Sequence, residues 1–597
     1  MNELIFPTFF DEPKANPAVQ EYEKDMTARK LADFFRKKGV AQLKEEDDQG
    51  NWYEDWIQYQ GRHRIYSSLL APARYSSFGC HFDLLKIARL LEIFSYFSPA
   101  HAYSLQVSFL GIFPILMSGN ESLQKEAISA LEKGGLFAFG VSEQEHGSDL
   151  YSNSFRVTPE KNGFRGHGSK YYIGNSNAAS MISILGRLPE KKLPPGSARS
   201  GEARSGEARS KDEFIFFALR PESSKGFKKA KKIPTLGVRT AFVGGFEVQE
   251  HSFPQEDVIS VGNRAWDAIF GTVNIGKFFL GYGSVGICQH ALSEARKHLQ
   301  SRVLYGKPVI QMPHIELLII QAWIRLLAMK LYAYRAIDYL QTAKIHDRRY
   351  LLFNSVQKAK VSTQGVQVME TLCECVGARG FERVTYFECA LRDAQMIPGL
   401  EGSTHINYGL TLQFLRGYFF NSDSSIPVPA SLIQGTTERS ENEYLFKAQT
   451  GGASQVRFAP YLRAFENIRS VSNVQILIGQ VKAFRLFLIS YFAENKLRQT
   501  LGGSAQAEAE AAMALGKCFS TIVYAQLIAE NAKITEIPHE AISLIFQQMI
   551  EDLSENALAL GTIVGSAIQR RLLDRVIAFP RAVKNDLVWA RKKMGLC

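Results

Sequence analysis

The sequence predicts an α+β protein in which a helical part is followed by a β part and then by two further helical parts. Three observations support this order: helical spacing of apolar residues up to about residue 134, short apolar runs between turn signals from 135 to about 262, and helical spacing again after Gly271. The 597 residues are 46% hydrophobic and 22% charged, which is ordinary globular composition. Wholesale disorder and fibrous repeats are therefore excluded, and three or four domains are expected.

The first helical part contains a charge-free stretch that tests for a membrane span. From Ile93 to Asn120 there is no Asp, Glu, Lys or Arg, which is long enough to cross a bilayer. However, Pro99, Gln106 and Pro114 interrupt the stretch. We therefore expect two helices buried inside a large protein.

The β part is marked by apolar runs around a hairpin signal. Phe155–Thr158 and Phe164–Ile173 flank Lys161-Asn162-Gly163, and Asn-Gly between apolar runs is typical of a hairpin. A pentad of small and charged residues then repeats nearly three times over 197–210. Without apolar periodicity this repeat cannot offset the entropy of ordering, so it is predicted to be a mobile hairpin tip.

The later helical parts show clear apolar faces. Val285, Cys288, Leu292, Ala295 and Leu299 step by three and four residues, as one face of a helix does. Beyond about residue 426, an Ala-rich run and an amphipathic run also indicate helices; these are Ala505–Leu515 and Ile476–Phe492.

The formal net charge of +11 is concentrated in one segment. Between Arg187 and Lys232 there are 13 basic and 6 acidic residues, a net charge of +7. Such a segment favours either a cationic surface for phosphates or an acidic partner, or a solvated loop.

The cysteines and the N-terminus indicate the compartment. The seven Cys are odd in number, sparse and without a CxxC pair, which predicts neither a disulfide framework nor a zinc or other metal site. MNELIFPTFFDEP has no secretory design. We therefore expect a reducing, cytoplasmic location.

Four motifs occur in order along the chain. Residues 135–149 read GLFAFGVSEQEHGSD, 166–175 read GHGSKYYIGN, 302–308 read RVLYGKP, and 392–407 read RDAQMIPGLEGSTHIN. This ordered set, from about 80 to about 415, resembles the acyl-CoA dehydrogenase and acyl-CoA oxidase family of flavoproteins. The resemblance implies a central β-barrel-like domain that binds flavin, a C-terminal four-helix bundle that carries the base, and an extra helical region as in long members. The implied domains are 1–134, 135–265, 266–425 and 426–597.

The reaction implied by the resemblance explains why a carboxylate is needed. Desaturating an acyl thioester removes a proton from Cα and a hydride from Cβ, and a carboxylate in a dry site can take the proton while FAD takes the hydride. Glu401 matches the family's base, and Gly402 beside it would let the backbone approach the substrate. The alternative for Glu401 is a surface turn before Gly.

The β part is implied to cradle the FAD. By motif match, Ser142 replaces a Thr that bonds the pyrimidine end of the ring, and Ser148 meets the phosphate or pantetheine side of the acyl-CoA. Tyr172 falls where the family has a Trp against the ring, although strand alternation alone would also explain it. Gly174 falls where many dehydrogenases have a Thr near flavin N5, and the oxidase branch also has Gly there.

Other cofactor residues are implied by the later motifs. Arg302 matches an arginine for the flavin diphosphate, often of a neighbouring subunit, or is a solvent-facing Arg at a helix end. Glu374 and Gly377 lie in a stretch like the one that contacts the adenosine half, with Glu where Gln is common. Ser403 and His405 follow the base and would lie along the flavin, with His405 as a wall residue or a second proton carrier.

The substrate-binding residues depart from the family pattern. An Asp and an Arg three residues apart become Asn274 and Lys277, so a phosphate would meet a point charge instead of a guanidinium fork. Gly276, between them, would either open space for a bulky acyl chain or allow close helix packing.

The resemblance implies an acyl-CoA substrate, a role in fatty acid metabolism such as β-oxidation, and a homodimer. Electrons would pass to an electron-transfer flavoprotein or, in an oxidase, to dioxygen. A nucleic-acid-binding relative is a separate hypothesis, motivated by the cationic segment, but that segment lacks interleaved aromatics for stacking bases. Membrane-surface contact through Ile476–Phe492 is a third hypothesis.

Overall fold

The computed structural model describes residues 5–10, 17–189, 213–433, 441–447, 455–500, 505–582 and 584–596. Seven helices come first within these ranges, a sheet of eight strands follows, and helices then dominate to the end. The predicted order of helical, β and helical parts is confirmed. The domain boundaries stay predictions.

The element bounds are as follows. The helices are α1 (Pro17–Glu23), α2 (Met26–Gln49), α3 (Glu54–His63), α4 (Ser67–Leu70), α5 (Leu84–Phe97), α6 (Pro99–Leu116), α7 (Glu121–Glu132), α8 (Asn263–Ser301), α9 (Pro313–Gln341), α10 (Tyr350–Val356), α11 (Ser362–Val376), α12 (Tyr386–Met396), α13 (Thr404–Thr411), α14 (Leu415–Phe420), α15 (Ser472–Thr500), α16 (Ala505–Ile534), α17 (His539–Ile563), α18 (Ala567–Asp574) and α19 (Lys584–Met594). The strands are β1 (Leu136–Gly140), β2 (Arg156–Glu160), β3 (Gly163–Gly174), β4 (Ala179–Leu188), β5 (Glu213–Leu219), β6 (Phe227–Lys232), β7 (Val243–Phe253), β8 (Val258–Val261), β9 (Val303–Leu304) and β10 (Lys307–Pro308).

The main sheet follows the path β6-β7-β3-β2-β4-β5-β8, with β1 pairing parallel to β4. The Asn-Gly hairpin is confirmed, since β2 and β3 pair antiparallel with Glu160 opposite Gly163. The barrel-like expectation is corrected, because β6 and β8 end the path without pairing to each other in the described part of the chain. β4 and β5 also pair antiparallel, with Leu188 opposite Glu213, and the 197–210 repeat between them lies outside the described residues.

The charge-free stretch forms two buried helices, as predicted. α5 ends at Phe97 and α6 begins at Pro99, a residue type that suits the first helical turn because its missing N–H needs no partner there. Almost every side chain of α6 is buried. α6 lies against β1 at Gly111, where an added Cβ would stand 2.5 Å from the backbone nitrogen of Ala138. This close approach fixes one face of α6 on the sheet and leaves its other face toward α8.

The third part is built around the long helices α8 and α9. α11 contacts α8, α9 and α12, and α12 also contacts α8. Between α10 and α11 the helix widens into a single π-helical turn, Gln357–Val361. The helix pair therefore changes its side-chain register at this turn.

The region after residue 426 packs onto the third part. α16 contacts α9, α13 and α17, and an added Cβ at Gly516 would stand 2.8 Å from the carbonyl oxygen of Tyr408. Two helices here are long and apolar enough to cross a bilayer, Ser472–Glu494 and Ala509–Ile534. The second window is 83% buried and the first 44% buried, so α16 is a core helix while α15 shows part of its apolar surface.

Candidate active site

The strongest local feature is the turn that carries Glu401. This turn joins α12 to α13, and Glu401 has a φ of +50° and Gly402 a φ of +82°. A non-glycine residue held in the left-handed region costs on the order of 1–3 kcal/mol and persists only where its surroundings hold it. The left-handed backbone at Glu401 therefore needs support from the residues around the turn.

The carboxyl group of Glu401 points inward and is half-satisfied. Its Oε1 accepts a hydrogen bond of 2.5 Å from Nε2 of Gln106 on α6. Its Oε2 is buried and has no hydrogen-bond partner among the described residues. Burial raises the pKa of this carboxyl to about 7, against the lowering effects of Gln106 and two nearby lysines. A carboxyl with this pKa and one free oxygen is suited to accept a proton near neutral pH.

The two lysines are Lys277 on α8 and Lys358 in the π-helical turn. Both side chains are buried; Nζ of Lys277 lies 3.4 Å from Oδ1 of Asn274, and Nζ of Lys358 donates to the carbonyl oxygen of Pro398 at 3.0 Å. Burial lowers the pKa of Lys277 to about 8 and that of Lys358 to about 7, while Glu401 opposes the change in each case. The motif match predicted that Lys277 binds a substrate phosphate. In the structure its side chain is buried and lies near enough to Glu401 to respond to its charge.

α6 connects the base to the end of strand β3. Gln106 holds Glu401, and Tyr103, one turn earlier, packs at Gly174, where an added Cβ would stand 3.0 Å from the Tyr103 hydroxyl. Burial and the nearby Glu401 raise the pKa of Tyr103. Tyr103 thus lies against Gly174 and is close enough to Glu401 to respond to its charge.

A small cavity of about 30 Å³ lies beside the base. Its lining includes Tyr103 and Gln106 of α6, Phe279 and Leu280 of α8, and Leu400 next to Glu401. The lining is mostly apolar, but the cavity has room for little more than a water molecule, so an acyl chain would enter only if lining side chains move.

The strand residues are held by a buried ion pair that the sequence interpretation did not single out. Lys170 on β3 donates to Glu143 at 2.9 Å, and Glu143 also accepts from the backbone N–H groups of Ser154 and Phe155. Burial lowers the pKa of Lys170 to about 8, with Glu143 opposing. This pair fastens the loop after β1 to β3.

Ser142 and Tyr172 lie together on this fastened loop and strand. Ser142 donates its hydroxyl to the carbonyl oxygen of Tyr171 at 2.7 Å. The β3–β7 register shifts between Lys170 and Ile173, and Tyr172 has a φ of +62° with 57% of its surface exposed. The bulge therefore turns the Tyr172 ring out of the sheet.

The other residues implied for the cofactor lie on the surface and are not joined to Glu401 by the described contacts. Ser403 is half-buried and its hydroxyl lies 3.0 Å from Nδ1 of the exposed His405. The remaining exposed positions are Ser148, Arg302, Glu374 and Gly377. These positions can serve a bound cofactor only if it extends across the outside of the chain.

Arg392 and Asp393 of the last motif connect α12, the helix before the Glu401 turn, to other parts of the chain. Arg392 donates to Asp47 of α2 and to Glu388 at 2.6 Å each, and Asp393 accepts from the N–H of Val238 at 2.6 Å. Burial raises the pKa of Asp393 to about 7. α12 is thereby fixed to the N-terminal helices and to the loop before β7.

Two surface features carry no further site. Three carboxylates of Asp47, Asp48 and Glu388 approach one another closely enough to hold a metal, but Lys44 lies 2.9 Å from Asp48 and 2.6 Å from Glu388 and supplies the positive charge. In the cationic segment, Lys228 pairs with Glu247 at 3.0 Å and Lys232 donates to two backbone carbonyls. Lys44 therefore balances the carboxylate cluster, whereas in the described part of the cationic segment Lys228 is paired and Lys232 is bound to neutral carbonyl groups.

Sequence reasoning missed Gln106, Tyr103 and Lys358 as site residues. Gln106 was visible as a polar interruption of the charge-free stretch, and Lys358 as a charge inside an apolar helical run. Nothing in the sequence indicated the π-helical turn that directs Lys358 toward the base.

Comparisons with known proteins match both the sequence and the fold. A family model described as acyl-CoA dehydrogenase, C-terminal domain, matches residues 263–414. An acyl-CoA dehydrogenase of Bacillus subtilis is 24% identical over 404 residues, covering 66% of this chain and 98% of that protein. A cyclohex-1-ene-1-carbonyl-CoA dehydrogenase of Geobacter metallireducens is 23% identical over 344 residues, covering 57% of this chain and 84% of that protein.

One solved structure matches along the whole length. An acyl-CoA dehydrogenase of Bacillus anthracis, solved in complex with FAD, has a TM-score of 0.71 at 15% identity and covers 100% of this chain and 97% of that chain. The butyryl-CoA dehydrogenase of Megasphaera elsdenii has a TM-score of 0.57 at 20% identity and covers 66% of this chain. At these identities the structural matches establish the fold, including the helices after residue 426 in the Bacillus anthracis case.

The fold has a helical, sheet and helical order, and the site places a carboxyl group with a buried oxygen on the turn before α13. The family model covers the segment that carries this turn and the lysines around it. The chain is therefore similar to acyl-CoA dehydrogenases, in sequence to the C-terminal domain model over residues 263–414 and in fold along its length.

Proposed function

We propose that this protein catalyses the FAD-dependent α,β-dehydrogenation of an acyl-CoA thioester to the trans-2-enoyl-CoA. The observation that carries this proposal is the free, buried Oε2 of Glu401, aimed from a strained turn beside an apolar cavity. A buried carboxyl oxygen without a hydrogen-bond partner is costly, so the retention of Oε2 in this state supports a role as proton acceptor.

Glu401 performs the proton transfer. The Cα proton of the substrate moves to Oε2 while Gln106 holds Oε1, so the carboxylate becomes a neutral acid during the step. Lys277 and Lys358, when charged, favour the ionised carboxylate and so oppose part of the effect of burial on its pKa. Tyr103 and the apolar lining exclude water from the transfer.

FAD supplies the hydride acceptor when bound, and the residues present fit it. Tyr172 and Gly174 lie at the end of β3, and Ser142, on the loop after β1, is bonded to the neighbouring Tyr171, with the Tyr172 ring exposed as a flat wall. Ser403 and His405 continue from the base along the surface. We assign the diphosphate and adenosine half to Arg302, Glu374 and Gly377, which are exposed in a single chain.

The exposure of these residues supports a homodimer in which a second copy covers them. Arg302 leads into the β9–β10 hairpin, whose Tyr305 is 97% exposed, so this hairpin projects from the chain. Sedimentation of the holoenzyme tests the dimer, and addition of lipid vesicles tests the alternative that the half-exposed α15 contacts a membrane surface. We propose a cytoplasmic location for this dimer.

The electron acceptor is the second question. Gly174 has no hydroxyl for flavin N5, and Tyr103 fills the space where another side chain would lie. This observation favours an acyl-CoA oxidase as the second candidate function, since the glycine is shared with that branch. Following the reduced enzyme in air separates the two: rapid peroxide formation supports dioxygen, and slow reoxidation supports an electron-transfer flavoprotein.

An absorption spectrum of the purified protein tests the proposed function as a whole. We expect flavin bands that bleach on addition of an acyl-CoA of suitable chain length in the absence of air. A protein without flavin bands, or bands that no acyl-CoA bleaches, would overturn the proposal.

A further inference from the structure

The π-helical turn Gln357–Val361 packs against α13, the helix that begins just after the turn that carries Glu401. A π-helical turn is rare, and an extra residue in one turn redirects the side chains around it. Two of its side chains are buried lysines, Lys358 and Lys360. Because buried lysines need partners, their surroundings indicate what the turn does.

Lys358 acts on the backbone of the base turn. Its Nζ donates to the carbonyl oxygen of Pro398 at 3.0 Å, and the hydroxyl of Thr404 donates to the same oxygen at 3.3 Å. Pro398 precedes Glu401 and Thr404 follows it, so the Thr404 hydrogen bond spans the turn and the Lys358 hydrogen bond attaches its start to the π-helical turn. Both bonds support the backbone that carries Glu401 at its φ of +50°.

Lys358 also acts on the carboxyl group of Glu401 through its charge. The charged and titratable groups around Glu401 are Tyr103 of α6, Lys277 of α8 and Lys358 of the π-helical turn, with the neutral Gln106 bonded to Oε1. Tyr103 stays neutral because burial raises its pKa. The two ammonium groups are therefore the only described cations that oppose the effect of burial on the base.

Lys360 fixes the same turn to the region after residue 426. Its Nζ lies 2.5 Å from Oδ2 of Asp552 on α17, and Gln364 donates to the same oxygen at 3.2 Å. Arg325 of α9 lies 3.3 Å from Asp552 as well. These cations hold the pKa of Asp552 below its usual value despite its burial.

We propose that the π-helical turn positions the base. Lys358 holds the Glu401 turn through Pro398 and favours the ionised carboxylate by its charge, and Lys360 attaches the π-helical turn to Asp552 of the C-terminal region. Lys358 is thus a positioning residue, and the C-terminal helices support the active site as well as the fold. This inference rests on the proposed function of Glu401 as the base.

The first test separates the charge of Lys358 from its hydrogen bond. Lys358→Gln can still donate to Pro398 but carries no charge, while Lys358→Arg keeps the charge. In the holoenzyme, the protonated-carboxyl infrared band that disappears in Glu401→Gln is titrated with pH. We expect the midpoint to rise by at least about half a pH unit in Lys358→Gln and to stay near wild type in Lys358→Arg. An unchanged midpoint in Lys358→Gln overturns the proposal.

The second test addresses the C-terminal support. Lys360→Met leaves Asp552 its Arg325 and Gln364 partners, and Glu316→Gln removes a different ion pair to the C-terminal region, with Arg591. We expect Lys360→Met to lower kcat about fivefold with KM within about twofold, and Glu316→Gln to leave both unchanged. Equal kinetics in Lys360→Met and wild type, or equal losses in both variants, overturn the supporting role.

The failure of this inference can be told from the failure of the proposed function. If no acyl-CoA bleaches the wild-type flavin, the proposed function fails, while the infrared titration still reports whether Lys358 acts on Glu401. If the wild type is active and the titration midpoint of Glu401 is the same in Lys358→Gln and in wild type, the inference alone fails.

Discussion

The carboxylate of Glu401 lies in space that exists because residue 276 is glycine: a Cβ at Gly276 would stand 2.1 Å from Oε2 of Glu401. Gly276 lies on α8, one residue before Lys277. The glycine leaves room for the carboxyl group of Glu401, and the lysine lowers the pKa of the same group. The space at Gly276 is taken by the Glu401 carboxyl group, which is neither of the two roles expected for this glycine, room for a bulky acyl chain or close helix packing.

Gly276→Ala is expected to displace the base. A methyl group so close to Oε2 forces the carboxylate out of its position, and a misplaced base costs on the order of 10²-fold in kcat. Gly409→Ala on α13 is the matched control, because an added Cβ there meets nothing within 4 Å. Steady-state turnover of both variants checks this, and wild-type turnover in Gly276→Ala would contradict the assigned contact.

Glu401→Gln is expected to raise the melting temperature more at pH 8 than at pH 5. The pKa of Glu401 is about 7 in the folded protein and about 4.5 in the unfolded chain, so its ionisation removes stability as pH rises through 7. Gln has no such ionisation. Melting temperatures of wild type and variant across this range check the sign, and a difference that shrinks as pH rises would contradict it.

Lys170→Met is expected to reduce flavin occupancy and stability together. The variant leaves Glu143 buried without its cation, and breaking a buried pair costs about 3–5 kcal/mol. Lys228→Met, on the same sheet, breaks an exposed pair with Glu247 that solvent screens, and it is expected to change stability far less. Flavin content per chain and chemical unfolding measure both; equal effects in the two variants would argue against a fastening role for Lys170.

Gly174→Ala is expected to strain the contact between β3 and α6. The added Cβ would stand 2.7 Å from Cγ2 of Val107 and 2.9 Å from Cε1 of Tyr103, and overpacking of this kind costs about 1–3 kcal/mol. Tyr103→Leu in the same chain should return part of that free energy. Unfolding of the single and double variants gives the coupling between the two sites, and strictly additive losses would show that they do not touch.

Much of this arrangement was predictable from sequence, and particular residues show why. The hairpin around Asn162-Gly163 and the paired helices α5 and α6 follow from local turn chemistry and apolar spacing, which act over a few residues. Glu401 was found through its motif, and its burial agrees with that interpretation.

The remaining site residues depend on long-range packing. Gln106 and Glu401 are 295 residues apart in the sequence. Lys170 lies within one of the four motifs, but its motif does not indicate that Glu143 is its partner. Lys277 lies where the pattern placed it along the chain but is buried rather than exposed to a phosphate. The open path of the sheet likewise depends on which edge strands meet, and periodicity carries no information about that.

The anaerobic bleaching of the flavin by acyl-CoA in Glu401→Gln tests the central claim most directly. We expect the variant to keep its flavin and its affinity for acyl-CoA, because Gln preserves the shape of the side chain, and to bleach at least about 10²–10⁴-fold more slowly than wild type. Bleaching at the wild-type rate would show that another group removes the α-proton and would contradict the account.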